Sequence, residues 1–402
     1  MRRTRGAIPS SALLAVRHRP SGLNTCFNDA QSTFSAYIEH SRNMIAQARC
    51  GFATDLLNKI VGGNAPFELR PAEGYPAGKE KTYRRGILLT HGLTDSPYFM
   101  RHLAAFFQEN GFRVMAVLLP GHGTRPGDLL EVRWQEWLKT VEYGVEQLAL
   151  EADNIYLAGY SAGAALSLYH SLCDQRVRGL FLFSPAFRVS SKAAWANFHK
   201  SYSWLMPSAK WLTLNSDADI YKYESFPKNA AAQMYALTRA LKARMAGRNV
   251  RIPVFAVASQ DDVTVDTAAT LEFMMQLRHP ADKLVYYFSD PAKIPAGLSR
   301  DKIECVNSGF PEQKIISSAH TAIVLPQEDA HYGERGEYRN CIHYYPEEMG
   351  KYAACNDRTV QVRQGEITDE NLKAGTMRRL MYNPNFAAMK TAMRQFIAGL
   401  PA

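Results

Sequence analysis

Short apolar runs recur along this chain, separated by stretches in which apolar residues return every three or four positions. Gly86-Ile87-Leu88-Leu89-Thr90 reads as a buried strand, and Phe99 to Asn110 as the helix that follows it. Phe112 to Leu119 is the next apolar run, closed by Pro120-Gly121-His122-Gly123, and Trp134 to Leu150 again has helical spacing. Asn154–Ala158, Leu180–Phe183 and Val254–Ala258 continue the series. These runs are apolar throughout instead of alternating, as expected of strands covered on both faces. Strands of this kind alternating with helices predict an α/β fold with a mostly parallel sheet flanked by helices. Ahead of it, Phe67–Pro71 reads as a short strand, and Phe34, Tyr37, Ile38, Met44 and Ile45 mark an amphipathic helix beginning near Thr33.

The rhythm breaks between Ser184 and Ile252. That segment carries Trp195, Phe198, Tyr202, Trp204, Leu205, Met206 and Trp211, then a helical stretch from Met234 to Met245. An insertion at this point lies over the ends of the strands, so it is expected to form a cap or lid, with most of its aromatics packing its own small core and a few lining a pocket. The expected organisation is a basic, disordered tail over 1–26, a helical segment over 27–64, an α/β core over 65–184 and 252–402, and the cap over 185–251.

Composition narrows the function. With 402 residues, 46% of them hydrophobic, the chain can bury a large core. The formal charge of +9 is uneven, because Arg2, Arg3, Arg5, Arg17 and Arg19 all precede the first acidic residue, Asp29. No basic stripe interleaved with aromatics follows, which excludes a nucleic-acid groove as a partner site. The apolar stretch Ser11–Val16 is short and runs straight into Arg17-His18-Arg19, a poor secretory leader, so a cytoplasmic location is expected. Six cysteines show no C-x-x-C spacing to suggest zinc or a redox pair, so a metal is not expected. Cys341 and Cys355 flank a polar segment and could bridge in an oxidising compartment, whereas free thiols are the default in the cytoplasm. Trp204, Trp211 and the basic N-terminus raise peripheral membrane contact as a less favoured alternative, since such tryptophans more often sit in a core.

The candidate chemistry centres on Gly159-Tyr160-Ser161-Ala162-Gly163, which sits where a buried strand turns into a helix. A G-x-S-x-G pentapeptide in that setting holds its serine in a strained conformation above the sheet edge, and the flanking glycines let strand and helix approach closely. Ser161 is therefore the candidate nucleophile. A serine hydroxyl needs an adjacent base oriented by a carboxylate, and in this arrangement the acid and then the histidine follow the serine. Ser259-Gln260-Asp261-Asp262 ends the strand at 254–258, and Asp262 is the candidate acid, with Asp261 as the alternative. Of His279, His320, His331 and His343, the candidate base is His320, 58 residues beyond Asp262, after Lys314–Ala319, which reads as a final strand and turn. His279, before Pro280, fits a capping role, and His331 and His343 read as surface or loop residues. The oxyanion donors expected of this arrangement are the backbone N–H groups of Ala162 and Leu93.

With these pieces placed, the chain resembles the α/β-hydrolase superfamily, and within it the monoglyceride lipases, lysophospholipases and bacterial carboxylesterases grouped with serine aminopeptidases. His91-Gly92-Leu93-Thr94-Asp95-Ser96, Leu119-Pro120-Gly121-His122-Gly123, Trp134-Gln135-Glu136-Trp137, the Ser161 pentapeptide and Ser317-x-x-His320 carry the likeness. Two segments depart from it: the long stretch before His320, and residues 328–375 with their cysteines. The resemblance implies hydrolysis of a small-molecule ester or lipid through an acyl-enzyme, with no cofactor. The runner-up is peptidase action of the proline-iminopeptidase kind, for which Asp217, Asp219 and Glu224 are candidate captors of a substrate amine. A hydrolase-fold binding protein without catalysis is the third reading; its usual sign, loss of the serine, acid or base, is missing here.

Overall fold

Thr33 begins the first helix by accepting the Ala36 N–H on its hydroxyl at 3.2 Å, the ordinary N-cap interaction. The computed structural model describes residues 14–24, 33–189, 207–296 and 301–400. Helix α1 (Phe34–Ala48) follows the cap, and its Tyr37 hydroxyl both donates to the Leu118 carbonyl and accepts the Leu118 N–H. After α2 (Thr54–Asn64) the sheet begins with β1 (Phe67–Leu69) and β2 (Tyr83–Thr90), then α3 (Arg101–Glu109) and β3 (Arg113–Val117). Next come α4 (Trp134–Glu151), β4 (Ala152–Tyr160), α5 (Ala162–Ser171) and β5 (Val177–Phe183). A small antiparallel pair, β6 (Trp211–Thr213) and β7 (Phe226–Pro227), leads into α6 (Lys228–Met245). The sheet resumes with β8 (Val254–Ser259), α7 (Thr267–Gln276), β9 (Lys283–Phe288) and β10 (Ile303–Asn307).

The eight-stranded sheet has the order β1-β3-β2-β4-β5-β8-β9-β10. Only β1 runs antiparallel to its neighbour. Successive side chains of the central strands enter opposite cores, which is why the sequence shows unbroken apolar runs. Leu88, Met115, Leu157 and Leu180 pack on one face with Trp137 and Val141 of α4 and Met234 of α6. Ile87, Leu89, Val114 and Phe181 pack on the other with Phe107 of α3 and with Met389 and Phe396 of α10 (Phe386–Ala398). The fold is thus the mostly parallel, helix-flanked α/β sheet expected.

Three local expectations are corrected. The sheet ends with β9 and β10, not with a strand over 314–319, where Ile315 makes only isolated bridges to Phe310 and Gln364. The edge position of β10 hides it from periodicity, because Glu304, Cys305 and Asn307 are exposed along it. In the segment assigned to a disordered tail, residues 14–24 are packed on the domain: His18 is buried against Asp217 and Ser225, Ser21 bonds Asp128, and Asn24 bonds the His122 carbonyl. His331 is buried instead of exposed, for reasons given below.

Trp195, Phe198, Tyr202, Trp204, Leu205 and Met206 lie outside the described residues. Trp211 is fully buried, its ring 5.1 Å from that of His18. The C-terminal segment folds as α8 (Met349–Asn356), β11 (Arg363–Gly365), α9 (Asp369–Lys373) and β12 (Met377–Arg379), with β11 and β12 parallel. A Cys341–Cys355 disulfide closes part of this segment. Among the described residues no helix is long and apolar enough to cross a membrane.

Candidate active site

Ser161 joins β4 to α5 with φ 54° and ψ −112°, a positive-φ backbone that a residue with a Cβ adopts only where its surroundings impose it. The surroundings here are the two glycines. A Cβ on Gly159 would fall on the Gly163 carbonyl, and one on Gly163 would fall on the Thr90 carbonyl at the end of β2. Strand, turn and helix can therefore come this close only with hydrogen at both positions, and the Ser161 N–H is fixed by the Phe183 carbonyl at 2.9 Å.

The structure brings Ser161, His320 and Asp262 into one hydrogen-bonded line. His320 Nε2 lies 3.0 Å from Ser161 Oγ, and His320 Nδ1 lies 2.6 Å from Asp262 Oδ2. The other Asp262 oxygen accepts the N–H groups of Thr264 and Val265 at 2.8 and 3.0 Å. Burial alone would push the Asp262 carboxyl up, but the facing imidazole and these two donors bring it below its ordinary range. Asp261 turns away to accept the Ser289 hydroxyl at 2.6 Å, and burial raises its carboxyl. Of the adjacent acids, only Asp262 meets the histidine. Tyr160 supports His320 by donating its hydroxyl to the His320 carbonyl at 2.9 Å.

Leu93 lies in the loop after β2, whose shape is set by two buried histidines. His91 Nε2 accepts the Leu119 N–H at 3.1 Å, and His122 Nε2 accepts the Thr94 N–H at 3.0 Å. Both must be neutral to accept, and burial pushes His91 well below its ordinary value and His122 down to about 4. Trp137 donates its indole N–H to the Pro120 carbonyl at 3.0 Å, which ties α4 to the same loops. Ala162 is the first residue of α5, where a backbone N–H has no partner within the helix.

Ser161, His320 and Leu93 open on a cavity of about 820 Å3. Its lining includes apolar Leu212, Phe226, Ala231, Met234 and Val265. The lining also includes polar Lys222, Glu224, Tyr338, His343 and Arg379. Asp95 is buried beside Ser161's loop and pairs with Lys222; burial raises the carboxyl and the ammonium opposes that rise. His343 is half-buried in the cavity lining, not in an exposed loop, and burial lowers it to about 4. His331 lies outside the cavity lining, 3.2 Å from Asp219 and 3.4 Å from Glu337. Burial would lower it, but the two carboxylates raise it on balance. His279 accepts the Ala281 N–H, a turn role.

Of the three acids proposed as amine captors, only Glu224 reaches the cavity. Asp217 is taken up by Arg17, His18 and Ser225, and Asp219 by His331 and Tyr332. The sequence reading missed Asp95–Lys222 and also Glu366–Arg379, a second pair that touches the His320 backbone. Among the described residues no group of three or more His, Cys, Asp or Glu side chains is placed to hold a metal ion.

A family profile described as serine aminopeptidase, S33, matches residues 81–289, more than half of the chain and the span from the start of β2 through β9. The chain belongs to this family of α/β-hydrolases. Among its relatives, a thermostable monoacylglycerol lipase from Bacillus sp. (strain H-257) is 28% identical over 200 residues, 48% of this chain and 79% of that protein. A carboxylesterase from Bacillus subtilis (strain 168) is 33% identical over 85 residues, 21% of this chain and 35% of that protein. A solved structure from work on LipS and LipT, two metagenome-derived lipolytic enzymes, aligns with a TM-score of 0.47 at 21% identity, covering 56% of this chain and 87% of that one. The S33 match ends before His320, so His320 and the cavity residues Tyr338, His343 and Arg379 lie in sequence beyond it.

Proposed function

We propose that this S33-family hydrolase cleaves carboxylic esters through Ser161, His320 and Asp262. One observation carries the reading: the Asp262–His320–Ser161 line ends on a serine hydroxyl that lines a cavity with several apolar residues. His320 Nε2 takes the proton as Ser161 Oγ attacks the ester carbonyl, and Asp262 holds Nδ1–H and stabilises the imidazolium. The N–H groups of Leu93 and Ala162 receive the oxyanion, a contact whose loss typically costs ~10²- to 10³-fold in rate. Collapse of the tetrahedral intermediate passes the proton to the leaving alkoxide and leaves an acyl-Ser161, which water then releases by the same steps.

The apolar lining is assigned to the acyl chain, and β6, β7 and α6, which supply Leu212, Phe226, Ala231 and Met234, to the cap. The lipase and esterase activities of the two Bacillus relatives support a small-molecule ester or lipid as substrate. The Cys341–Cys355 bridge favours an oxidising compartment over the cytoplasm.

Aminopeptidase action is the second reading, favoured by the family's name and by Glu224 in the cavity. Against it, Glu224 already accepts from the Tyr338 hydroxyl at 2.6 Å, the Ser216 hydroxyl at 3.0 Å and the Ala218 N–H at 2.9 Å, and burial raises its carboxyl. A carboxyl so engaged is a poor partner for a substrate ammonium. Steady-state assays with p-nitrophenyl esters of increasing chain length, beside aminoacyl-naphthylamides, separate the two readings. Ester turnover that exceeds amide turnover is expected, and amide turnover without ester turnover would overturn the proposal.

A further inference from the structure

Glu366 and Arg379 belong to the C-terminal segment, beyond the residues matched by the family, and they stand side by side. Parallel pairing of β11 and β12 sets Gly365 opposite Arg379, so Glu366 leaves the end of one strand next to the guanidinium of the other. Glu366 is fully buried. Its Oε2 accepts the backbone N–H of His320 at 3.0 Å and Arg379 Nη2 at 3.1 Å, while Arg379 Nε lies 2.9 Å from Oε1. The same Nη2 donates to Thr264 Oγ1 at 2.8 Å, and the Thr264 backbone N–H donates to Asp262 Oδ1. An unbroken chain of contacts thus runs from the His320 backbone through Glu366 and Arg379 to the turn that holds Asp262.

We infer that Glu366 and Arg379 are positioning residues, a clamp that fixes the loop of the base against the turn of the acid. The inference rests on the proposed roles of Ser161, His320 and Asp262. His320 lies in a turn without a strand to anchor it, since residues 314–319 make only isolated bridges. Strand geometry therefore does not hold the imidazole 3.0 Å from Ser161; the Tyr160 hydroxyl tethers the His320 carbonyl, and Glu366 tethers its N–H. The Glu366 backbone adds to the clamp, its N–H bonded to the Ser317 hydroxyl at 3.0 Å, three residues before the base. Burying an ion pair is poor value for stability alone, because apolar residues of similar volume often do as well. Its geometric use is clearer, because a displacement of about 1 Å at the reacting atoms can cost ~10²-fold in rate.

Glu366, Arg379 and Thr264 also line the cavity, but the clamp acts through His320, so its loss should lower kcat and leave KM within about threefold. Three variants of the full chain test this, each followed by ester turnover, melting temperature and the rate at which a fluorophosphonate labels Ser161. Glu366→Ala is expected to lose ~30-fold in kcat and in labelling rate, within the range that misplacement produces. Glu366→Gln keeps an acceptor for the His320 N–H and should recover to within about fivefold of the wild type. Thr264→Val removes a hydroxyl on an exposed side chain, so it folds whatever becomes of Glu366→Ala; it should lose roughly fivefold alone and almost nothing further in the Glu366→Ala background. Wild-type labelling rates in Glu366→Ala, or independent multiplication of the two losses, would overturn the clamp. Should Glu366→Ala fail to fold, an unchanged labelling rate in Thr264→Val overturns it equally. Failure of the wild type itself to label would instead remove the proposed nucleophile, and the clamp with it.

Discussion

Gly163→Ala adds a single carbon at the point where α5 meets the end of β2. The new Cβ would fall on the Thr90 carbonyl oxygen and lie 2.6 Å from the Thr90 carbonyl carbon and 2.7 Å from the His91 carbonyl oxygen. All three are backbone atoms of a central strand and its loop, so no side chain can rotate away. Overpacking of this kind costs about 3 kcal/mol, the upper end of the usual range. An unfolding entropy of ~2.1 cal/mol/K per residue gives about 0.8 kcal/mol/K for this chain, so the melting temperature should fall by about 4 °C. Activity should fall much further, because relief comes only by moving α5 outward, and α5 carries Ser161 at its N-terminus. A displacement of ~1 Å predicts a loss of about 100-fold in kcat. Gly62→Ala in α2 is the control, since its Cβ would meet nothing within 4 Å. It should stabilise the chain by roughly 0.5–1 kcal/mol and leave kcat unchanged. Differential scanning calorimetry and ester turnover on both variants decide the matter. Wild-type melting and kcat in Gly163→Ala would refute the claim that close approach at this turn sets the serine.

Asp262→Asn should lower kcat by ~10⁴-fold, as expected when the imidazole loses its orienting carboxylate, while Asp261→Asn stays within a few-fold; equal losses in the steady-state rates would contradict the geometry. His122 is neutral and buried, with its value lowered from 6.5 to about 4. The unfolded chain therefore binds the extra proton between these values, and the stability present above pH 6.5 is lost as pH falls towards 4, by up to about 3 kcal/mol. Melting curves from pH 8 to 4.5 should show this slope, and it should flatten in His122→Gln. Replacing Cys341 and Cys355 together by alanine releases a loop of 14-residue separation. That should cost about 3 kcal/mol, read as a loss of about 4 °C in calorimetry.

Much of this molecule is written locally. The buried strands β2, β4, β5 and β8 are legible because residues on both of their faces meet apolar cores, and Ser161 is legible because its two glycines announce a close crossing. Asp262 is less so. Nothing in Asp261-Asp262 says which carboxylate turns inward; that is decided by Ser289 on one side and His320 on the other. The edge strand β10 escapes a reading built on apolar runs because three of its five residues face solvent. His331 misleads for the opposite reason: its Tyr- and Pro-rich surroundings look like a surface loop, yet Asp219, Tyr332 and Tyr338 close over it. Glu366 and Arg379 carry no local signal. Their partners are 46 and 115 residues away, at His320 and Thr264, and only the fold brings them together.

The central claim is that Ser161 is a nucleophile activated by His320, and a fluorophosphonate probe tests it without any assumption about substrate. Peptide mapping of the labelled protein should place the phosphonyl group on Ser161. Ser161→Ala should abolish labelling, and His320→Ala should slow it by orders of magnitude, while both keep the wild-type melting temperature to within a few degrees. Labelling at another serine, or ester turnover undiminished in Ser161→Ala, would contradict the account.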